Sequence, residues 1–457
     1  MTETPVAALI LRLGIPTTIT MLITNIYNMV DTYFVGTLGV SQQGATGVLF
    51  TLQAIIQAFA FLLGHGSGTH VAKCLADKNK KMASTYVSTA FCVGIGIGVI
   101  LLVFGIIFLE PFMYVLGSSD TILPYAKDYG LWVLISAPAL IASLIINNNL
   151  RYEGKAFYAM IGLVTGALLN ILGDYIFITV MDLGVFGAGM STAISQFVSF
   201  VILMVFYVLQ AQTRIRFKAV SFDPKIYWNI IRTGFPSLLR QGLASISGGV
   251  LNNLTKPFGD FAVAAISVVN RYSNFVMCVG LGIGQGLQPV AAYNYAVKRY
   301  DRVGKGILFT VVLGSGIVGV LSLITLCMPQ QIVSLFNNDP DVIAAGTTAL
   351  RYAAVGLLFT PVTVAISLTL QSIQKSGSAS FLSALRNGLA FIPTIFVLVY
   401  GFSLGFNGVA LAQPVADAIT FSISLPFFIY FVVSLRKASK VMEEQKANEN
   451  ANPNELA

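Results

Sequence analysis

Long apolar segments follow one another along almost the whole chain, each with roughly 20 or more residues. A helix rises about 1.5 Å per residue, so each segment can cross the ~30 Å hydrocarbon core of a bilayer. Because helices satisfy their own backbone hydrogen bonds, lipid favours them. The sequence therefore predicts an all-α integral membrane protein. The twelve predicted transmembrane helices lie near residues 9–36, 43–72, 84–109, 121–150, 157–181, 186–211, 228–254, 260–292, 303–327, 340–371, 380–402 and 408–435.

The composition agrees with a chain that is largely surrounded by lipid. Hydrophobic residues make up 56% of the sequence and charged residues 10%, and the mean hydropathy is +0.79. This excludes a domain with a polar surface on all sides. The first helix follows a very short polar start, so we expect it to be retained and not cleaved as a signal peptide. The four cysteines lack CxxC spacing and predict neither a disulfide framework nor a metal cluster.

An internal repeat relates the two halves of the chain. Residues 14–78 recur in register as residues 234–298, and the evidence lies in glycine and proline positions such as Gly14 with Gly234 and Pro16 with Pro236. The repeat predicts two matched six-helix bundles. Their predicted bounds, with those of the polar segments, are residues 1–211 for the N-terminal bundle, 212–227 for a cytoplasmic linker, 228–437 for the C-terminal bundle and 438–457 for a disordered tail.

Positively charged residues cluster after the even-numbered predicted helices. Examples are Lys80 after helix 2, Arg151 and Lys155 after helix 4, Arg214 after helix 6 and Arg436 after helix 12. The opposite loops are mostly acidic, so the positive-inside rule places both termini in the cytoplasm. The net charge of +8 therefore predicts a membrane topology and no nucleic-acid binding.

Three acidic residues lie inside predicted helices: Asp31, Asp174 and Asp417. A charged acid at the bilayer centre costs about 2.5–3.5 kcal/mol on insertion scales, so its presence points to a function. Asp31 belongs to the first copy of the repeat, and the second copy has Leu251 at the aligned position. The two halves are thus matched in packing and different in chemistry.

Amide and hydroxyl side chains accompany two of these acids on the same helical faces, at spacings of three or four residues. The groups are Asn25, Asn28 and Asp31 in helix 1, Asn170 and Asp174 in helix 5, and Thr192 and Gln196 in helix 6. Two ionised carboxylates in a medium of low dielectric disfavour each other, and a proton or a monovalent cation would relieve that cost. We infer a proton or cation site in the first half.

Two structural interpretations of these residues stay open at the level of the sequence. Asn25, Asn28 and Gln196 could instead hydrogen-bond between helices, as polar residues in membrane helices often do. A buried aspartate could also be the partner of an intramembrane arginine, and the candidates are Arg240, Arg271, Arg351 and Arg386.

Several other patterns favour no catalytic chemistry. The GxGxG spacings at residues 64–68 and 280–286 follow no strand, so we expect close helix packing there. His65 and His70 are five residues apart, which does not place them on one face as a zinc pair. No Walker sequence and no set of nucleophile and base stands out, so we predict neither an enzyme nor an ATP-driven pump, and no cofactor.

Four stretches carry a family resemblance: GIPTTITMLITNIYNMVDTYFVGTLG in helix 1, NNNLRYEGKAFYAMIGLVTGALLNILGDYIFI in helices 4 and 5, GVFGAGMSTAISQ in helix 6 and GLGIGQGLQPVAAYNYAVKR in helix 8. Together they resemble the multidrug and toxic compound extrusion (MATE) transporters, in the bacterial branch of MepA-like and DinF-like proteins. The resemblance covers about residues 8–435. It implies a V-shaped transporter in the bacterial cytoplasmic (inner) membrane, whose two bundles face a central cavity with alternating access.

The resemblance also implies a function and a set of site residues. The family exports bulky cationic or amphipathic compounds, as in antibiotic resistance, in exchange for H+ or Na+. Asp31 matches the helix 1 acid of the family, Asn170 and Asp174 its helix 5 amide and acid, and Thr192 a helix 6 hydroxyl of the same cation-binding cluster. Pro16 matches a proline associated with bending of helix 1. The sodium-coupled branch has an acid in helix 7 where this chain has Ala244, which favours coupling through the first half.

The predicted mechanism is an exchange between two ligands and two states. If the ion and the drug favour opposite arrangements of the first bundle, they are antiported. The expected partners are the bilayer, H+ or Na+ and drug-like molecules, and each chain holds a complete transporter, so a monomer should function. Candidate cavity residues share an amide, an aromatic ring or a thioether; they are Asn25, Tyr27, Asn28, Tyr33, Tyr175, Met190 and Gln196.

Two other functions stay open. A flippase for a lipid-linked sugar or another amphiphile would share the fold, but it should carry a strongly basic cavity for phosphates, and the basic residues here lie mostly in loops. A channel is expected to show charge rings or a carbonyl filter in an oligomer, and neither signature is visible in the sequence.

Overall fold

The structure is a computed structural model that describes residues 2–451, apart from the side chains of residues 40, 443 and 446–451. Its first half contains six long helices: α1 (Val6–Gly36), α2 (Val40–Ala76), α3 (Lys80–Ile107), α4 (Leu123–Tyr152), α5 (Ala156–Asp174) and α6 (Gly184–Gln210). The second half contains α7 (Pro224–Thr255), α8 (Asp260–Ala296), α9 (Tyr300–Cys327), α10 (Pro340–Leu357 with Thr360–Ser372), α11 (beginning with Ser376–Ala384) and α12 (Phe406–Ala451). Short helices lie at Leu109–Val115 and Pro329–Ser334.

Most of these helices meet the requirements for crossing a bilayer. Ten are long and apolar enough by length and composition, and α10, bent by 48° between its two parts, is an eleventh if taken as one span. The remaining long helix, α7, has 32 residues and carries Lys225, Arg232 and Arg240, which make it less apolar. The predicted all-α membrane architecture is confirmed, and the predicted twelve helices are consistent with it.

The two halves share an unusual local feature. After Asp174, α5 continues as a π-helix over Tyr175–Val180, and α11 ends in a π-helix over Val397–Gly401. A further π-helical stretch lies at Leu385–Ala390 within α11. Because π-helical turns often occur at functional sites, the one that follows Asp174 makes this end of α5 a candidate functional region.

Each half has its own hydrophobic core, and the first turns of each half's first helix pack into the core of the other half. The first core draws mainly on α2 to α6 but includes Ile226 and Ile230 of α7. The second draws on α7 to α12 but includes Ile10 and Leu13 of α1. Packing of these side chains holds the start of each bundle's first helix against the other bundle, since van der Waals contact stabilises helix association in lipid.

The bundles contact each other mainly through two helix pairs, α1 with α8 and α2 with α7, and to a smaller extent through α2 with α8. Glycines let the backbones approach closely at both contacts. A Cβ atom on Gly234 would lie 1.8 Å from the Leu62 carbonyl oxygen, and one on Gly66 would lie 2.2 Å from that of Ile230. At the other pair, a Cβ atom on Gly286 would lie 2.5 Å from the Gly14 nitrogen. The close packing expected of the repeated glycines is present at these positions.

The connection between the bundles is docked onto the first one. The Glu153 carboxylate, which follows α4 and is buried, accepts hydrogen bonds from the backbone of Gln212 and from the backbone and hydroxyl of Thr213. Burial raises the pKa of this carboxyl, while the donors act in the opposite direction. Backbone groups further along the connection are bound by hydroxyls of α3, such as Ser88 and Thr89. Of the predicted linker at residues 212–227, the part before Pro224 thus lies along α3, and its last four residues form the start of α7.

The end of the chain differs from its prediction. Disorder was expected over residues 438–457, yet α12 extends to Ala451. Lysine, alanine, glutamate and glutamine dominate this stretch and have high helix propensity, so a helix that leaves the membrane can continue in them. The remaining part of that prediction, residues 452–457, lies outside the described residues.

Candidate functional site

Four helices of the first bundle bring the predicted ion-site residues together. Asp31 lies near the end of α1, Asp174 closes the α-helical part of α5, and Thr192 lies in the first turns of α6. Contacts of α5 with both α1 and α6 bring these helices side by side, and α4 packs on α6. The three residues therefore sit at the end of the bundle away from the N-terminus of α1.

A chain of hydrogen bonds joins the α1 acid to the α5 amide. The Tyr129 hydroxyl of α4 donates to Asp31 Oδ2 at 3.0 Å and lies 3.1 Å from Thr192 Oγ1. The Asn170 amide donates to the same threonine oxygen at 3.2 Å. Thr192 Oγ1 accepts a hydrogen bond from Asn170, so its own hydroxyl can donate to the Tyr129 oxygen. The Tyr129 hydroxyl in turn donates to Asp31.

The acids of this site are buried and incompletely bonded. Asp31 is 4% exposed and Asp174 is 0% exposed. Within the described residues, Oδ1 of Asp31, both carboxyl oxygens of Asp174 and Oδ1 of Asn170 have no hydrogen-bond partner. Ser191 is a polar neighbour of Asp174, but its hydroxyl donates to the Asn170 carbonyl at 2.9 Å and has one proton to give. Such unpaired buried oxygens are costly, and a proton or a monovalent cation would bond to them.

The three intramembrane acids differ in whether they form a salt bridge. In the described part of the chain, Asp417 pairs with Arg386 at 2.7 Å, as one open interpretation of a buried aspartate expected. Gln413 donates to the same carboxylate at 2.9 Å. Neither Asp31 nor Asp174 takes part in a salt bridge among these residues. Asp417 therefore has a structural partner within its own bundle, and the two acids of the first bundle do not.

A cavity of about 390 Å³ lies beside this site, between the bundles. The candidate cavity residues Asn25, Tyr27, Asn28 and Gln196 line it, and Asn170 belongs to both the cavity wall and the hydrogen-bond network of Asp31. The second bundle contributes four wall residues, Gln241, Cys278, Leu281 and Gln285. One residue thus connects the space for a ligand with the oxygens that would hold the ion.

Three of the candidate cavity residues lie elsewhere. Tyr33, Tyr175 and Met190 are not part of the wall, and the two tyrosines are 68% and 52% exposed. The reason is their position along the helices, because the α1 lining ends at Asn28 and the α5 lining at Asn170, before either tyrosine. Their contact with a substrate stays a prediction, and the wall of this cavity does not include them.

Two other predicted roles have a structural context. Asn25 donates across the bundle boundary to Cys278 Sγ at 2.8 Å, so it is an interhelical contact as well as a wall residue. Pro16 is buried inside α1, which runs as one helix from Val6 to Gly36. Bending at Pro16 stays a prediction.

Sequence reasoning missed two residues of the hydrogen-bond network around Asp31 and Asn170 and misplaced an arginine. Tyr129 and Ser191 were not predicted, because no acid or amide lies three or four residues from Tyr129, and Ser191 directly precedes Thr192 on another face of the helix. Arg151 was counted among the loop charges after helix 4. It instead belongs to the last turn of α4 and is 2% exposed, because neutral side chains of both bundles surround its guanidinium group.

The side chains around Asp31 and Asp174 limit which ions could bind there. No group of three or more His, Cys, Asp or Glu side chains that could hold a metal ion occurs within residues 2–451. Carboxylate, amide and hydroxyl oxygens suit a proton or a hard monovalent cation and do not suit a soft transition metal.

Comparison with known proteins decides the family. A sequence profile described as MatE matches residues 16–176 and, a second time, residues 236–397. The chain belongs to the MatE family. The resemblance to MATE transporters is thus confirmed, and with it a membrane transport protein in place of an enzyme.

Relatives and solved structures agree with this membership. The chain is 27% identical over 413 residues to the multidrug export protein MepA of Staphylococcus saprophyticus subsp. saprophyticus, covering 90% of each chain. It is 26% identical over 449 residues to MepA of Staphylococcus haemolyticus, covering 97% of this chain and 98% of the relative. A crystal structure of MATE in complex with MaL6 has a TM-score of 0.90 at 23% identity, covering 95% of this chain and 98% of the other. An outward-facing multidrug resistance MATE family transporter of the MOP superfamily has a TM-score of 0.89 at 23% identity, with the same coverage. The V-shaped two-bundle fold is therefore confirmed.

Proposed function

We propose that this protein is a secondary active multidrug efflux antiporter, which exports bulky cationic or amphipathic compounds in exchange for H+ or Na+ bound at Asp31 and Asp174. The observation that carries the proposal is the pair of buried, unpaired carboxylates next to a drug-sized cavity that shares Asn170 with them. The names of the MepA relatives, as multidrug export proteins, support the same class of transported compound.

The geometry supports a coupling step. When no ion is bound, the two carboxylates repel each other inside the bundle. The packing of α1, α4, α5 and α6 holds them close in spite of this repulsion. An added proton or Na+ removes the repulsion and uses the free oxygens of Asp31, Asn170 and Asp174. Because Asn170 also forms cavity wall, a change in its orientation on ion binding alters the surface that the drug contacts. Ion and drug then favour different arrangements, as antiport requires.

The arrangement of the bundles supports an outward-open state. The bundles touch through the start of α1 with the end of α8, and the end of α2 with the start of α7. The positive-inside rule assigns that end to the cytoplasm, with both termini, in the cytoplasmic membrane of a bacterium. A cavity closed on that side would be accessible from outside, where an exporter releases its drug and takes up its ion.

A transport assay in proteoliposomes tests the proposal. The purified protein is reconstituted, a pH gradient or a sodium gradient is imposed separately, and uptake of a fluorescent cation is followed. We expect one gradient to drive uptake in the wild type, and Asp31→Asn or Asp174→Asn to lower the initial rate by at least about tenfold. Asp128→Asn is the matched control, since Asp128 precedes Tyr129 in α4 but is exposed, and it should transport at the wild-type rate.

The alternatives give other results in the same assay. Full gradient-driven transport by Asp31→Asn would contradict the assigned site. Uptake that requires neither gradient would indicate a channel.

A further inference from the structure

The central cavity carries a positive charge that the transport of simple cations does not explain. Among the described residues that line it, Arg151 is the one charged side chain, and the others are apolar or neutral polar groups. The carboxylates of Asp31 and Asp174 lie behind the wall, in the ion site. The guanidinium group repels a positive charge placed next to it, so this end of the cavity fits a negatively charged group of a ligand, while positive groups can lie further away.

Every hydrogen-bond partner of Arg151 in the described chain is neutral. Its Nη2 donates to Asn148 Oδ1 at 2.7 Å and to His65 Nε2 at 2.9 Å, and its Nη1 donates to Gln285. Because arginine has no acceptor, His65 must accept through Nε2, which leaves this ring neutral with its proton on Nδ1. The Nε of Arg151 is buried and has no partner among the described residues. One edge of the guanidinium fork therefore keeps a free donor.

A second arginine, the half-buried Arg240, lies in the same network. His65 Nδ1 is 2.7 Å from Ser237 Oγ, and Arg240 donates to that hydroxyl at 3.1 Å. No acid within the described residues forms an ion pair with Arg151 or Arg240. Arg240 also borders a small cavity of about 40 Å³, and Leu281 forms a wall of both cavities. A buried guanidinium group, that of Arg151, and a half-buried one, that of Arg240, are thus linked through His65 and Ser237 without a counter-charge among the described residues, which an anion would supply.

We propose that Arg151, supported by Arg240, forms an anion subsite of the central cavity that binds the carboxylate of substrates carrying both positive and negative charge. A carboxylate matches the planar guanidinium fork, and the free Nε–H offers it a donor that no protein group uses. The inference rests on the proposed function, since it names a class of compound for the same cavity. It also assigns the two ends of the space different roles, with ion coupling at Asp31 and Asp174 and anion recognition at Arg151.

Equilibrium binding of two dyes that differ in one group tests the subsite. Rhodamine 110 carries a free carboxyl group, and rhodamine 123 is its methyl ester. Their binding to the full-length protein in nanodiscs of phosphatidylcholine is measured by fluorescence polarisation, without any ion gradient. We expect the wild type to prefer the acid, and Arg151→Gln to weaken acid binding by on the order of tenfold while ester binding changes less than about twofold. Arg151→Lys, which keeps the charge but loses the fork, should fall between them.

Two further variants control the measurement. Arg271→Gln removes an equal charge from an exposed position of α8 and should leave both affinities unchanged. If Arg151→Gln does not fold, Arg240→Gln should still reduce the preference for the acid, by a smaller factor because Arg240 lies beyond Leu281.

Three results would overturn the proposal. Equal weakening of both dyes in Arg151→Gln would show that Arg151 only holds the bundles together. If the ratio of the affinities for the acid and the ester is unchanged in every arginine variant, the arginines do not form an anion subsite. Loss of the preference in nanodiscs that contain phosphatidylglycerol would assign the arginines to a lipid phosphate. Because this measurement uses no ion gradient, a negative result here contradicts the anion subsite alone. The proposed antiport function is tested independently, by gradient-driven transport in Asp31→Asn.

Discussion

At the scale of single residues, the Tyr129 hydroxyl connects the acid of α1 with the hydroxyl and amide of α6 and α5. Tyr129→Phe removes that connection and leaves Asp31 Oδ2 without its donor. We expect gradient-driven uptake in proteoliposomes to fall roughly 10- to 100-fold, the effect of losing one hydrogen bond of about 1.5–3 kcal/mol to a charged group. Tyr114→Phe is the control, because Tyr114 also donates to an aspartate, Asp120 at 2.7 Å, but on the surface. Equal rates for both variants would show that the tyrosine has no part in coupling.

Residue spacing gave part of this site and could not give the rest. Asp31, Asn170, Asp174 and Thr192 were predicted because helical periodicity shows which side chains share a face. The site does bring Asn170, Thr192 and Asp31 into one network. Tyr129 and the buried state of Arg151 depend on which faces of different helices meet. Periodicity within one helix carries no information about that contact.

At the scale of helices, the repeated glycines set how closely the two bundles approach. Gly234→Ala would place a methyl group 1.8 Å from the Leu62 carbonyl oxygen, so α2 and α7 must move apart. We expect a loss of about 1–3 kcal/mol of stability, as for overpacking, measured as a lower melting temperature of the purified protein. Gly242→Ala tests the same helix where no atom lies within 4 Å of the new Cβ, and it should melt at or slightly above the wild-type temperature. Equal melting of both variants would contradict the close contact.

The helices themselves were largely predictable, since the bilayer requires long apolar segments and leaves them few alternatives. The predicted starts of α1 and α12 differ from the observed ones by a few residues. The π-helical turns after Asp174 and at Val397 were not predicted, because an extra residue in a turn leaves the apolar pattern nearly unchanged. The helical stretch at residues 438–451 was missed because polarity was given more weight than helix propensity.

At the scale of the whole molecule, the repeat produces two bundles that differ in charge. Among the described residues, the first holds Asp31, Asp174 and Arg151 without a salt bridge, while the second holds the Asp417–Arg386 pair and Arg240, which also lacks one. The aligned position of Asp31 is Leu251, a buried residue of the second core. Packing is therefore common to both halves, and the proposed ion coupling belongs to one of them. Alternating access further requires that the contacts between the bundles break and re-form, which concerns α1 with α8 and α2 with α7.

The contact between Asn25 and Cys278 offers a direct test of that movement, because the two side chains meet at 2.8 Å across the bundle boundary. Asn25→Cys, in a chain whose other three native cysteines are replaced by alanine, puts two thiols at this contact, and an oxidant should join them. We expect oxidation to stop gradient-driven uptake in proteoliposomes and a reductant to restore it. The same variant with Cys278→Ala has no partner thiol and should be insensitive to the oxidant. If thiol titration shows complete cross-linking while uptake continues, α1 and α8 stay together through the cycle at this level, and access must change by motion elsewhere in the bundles.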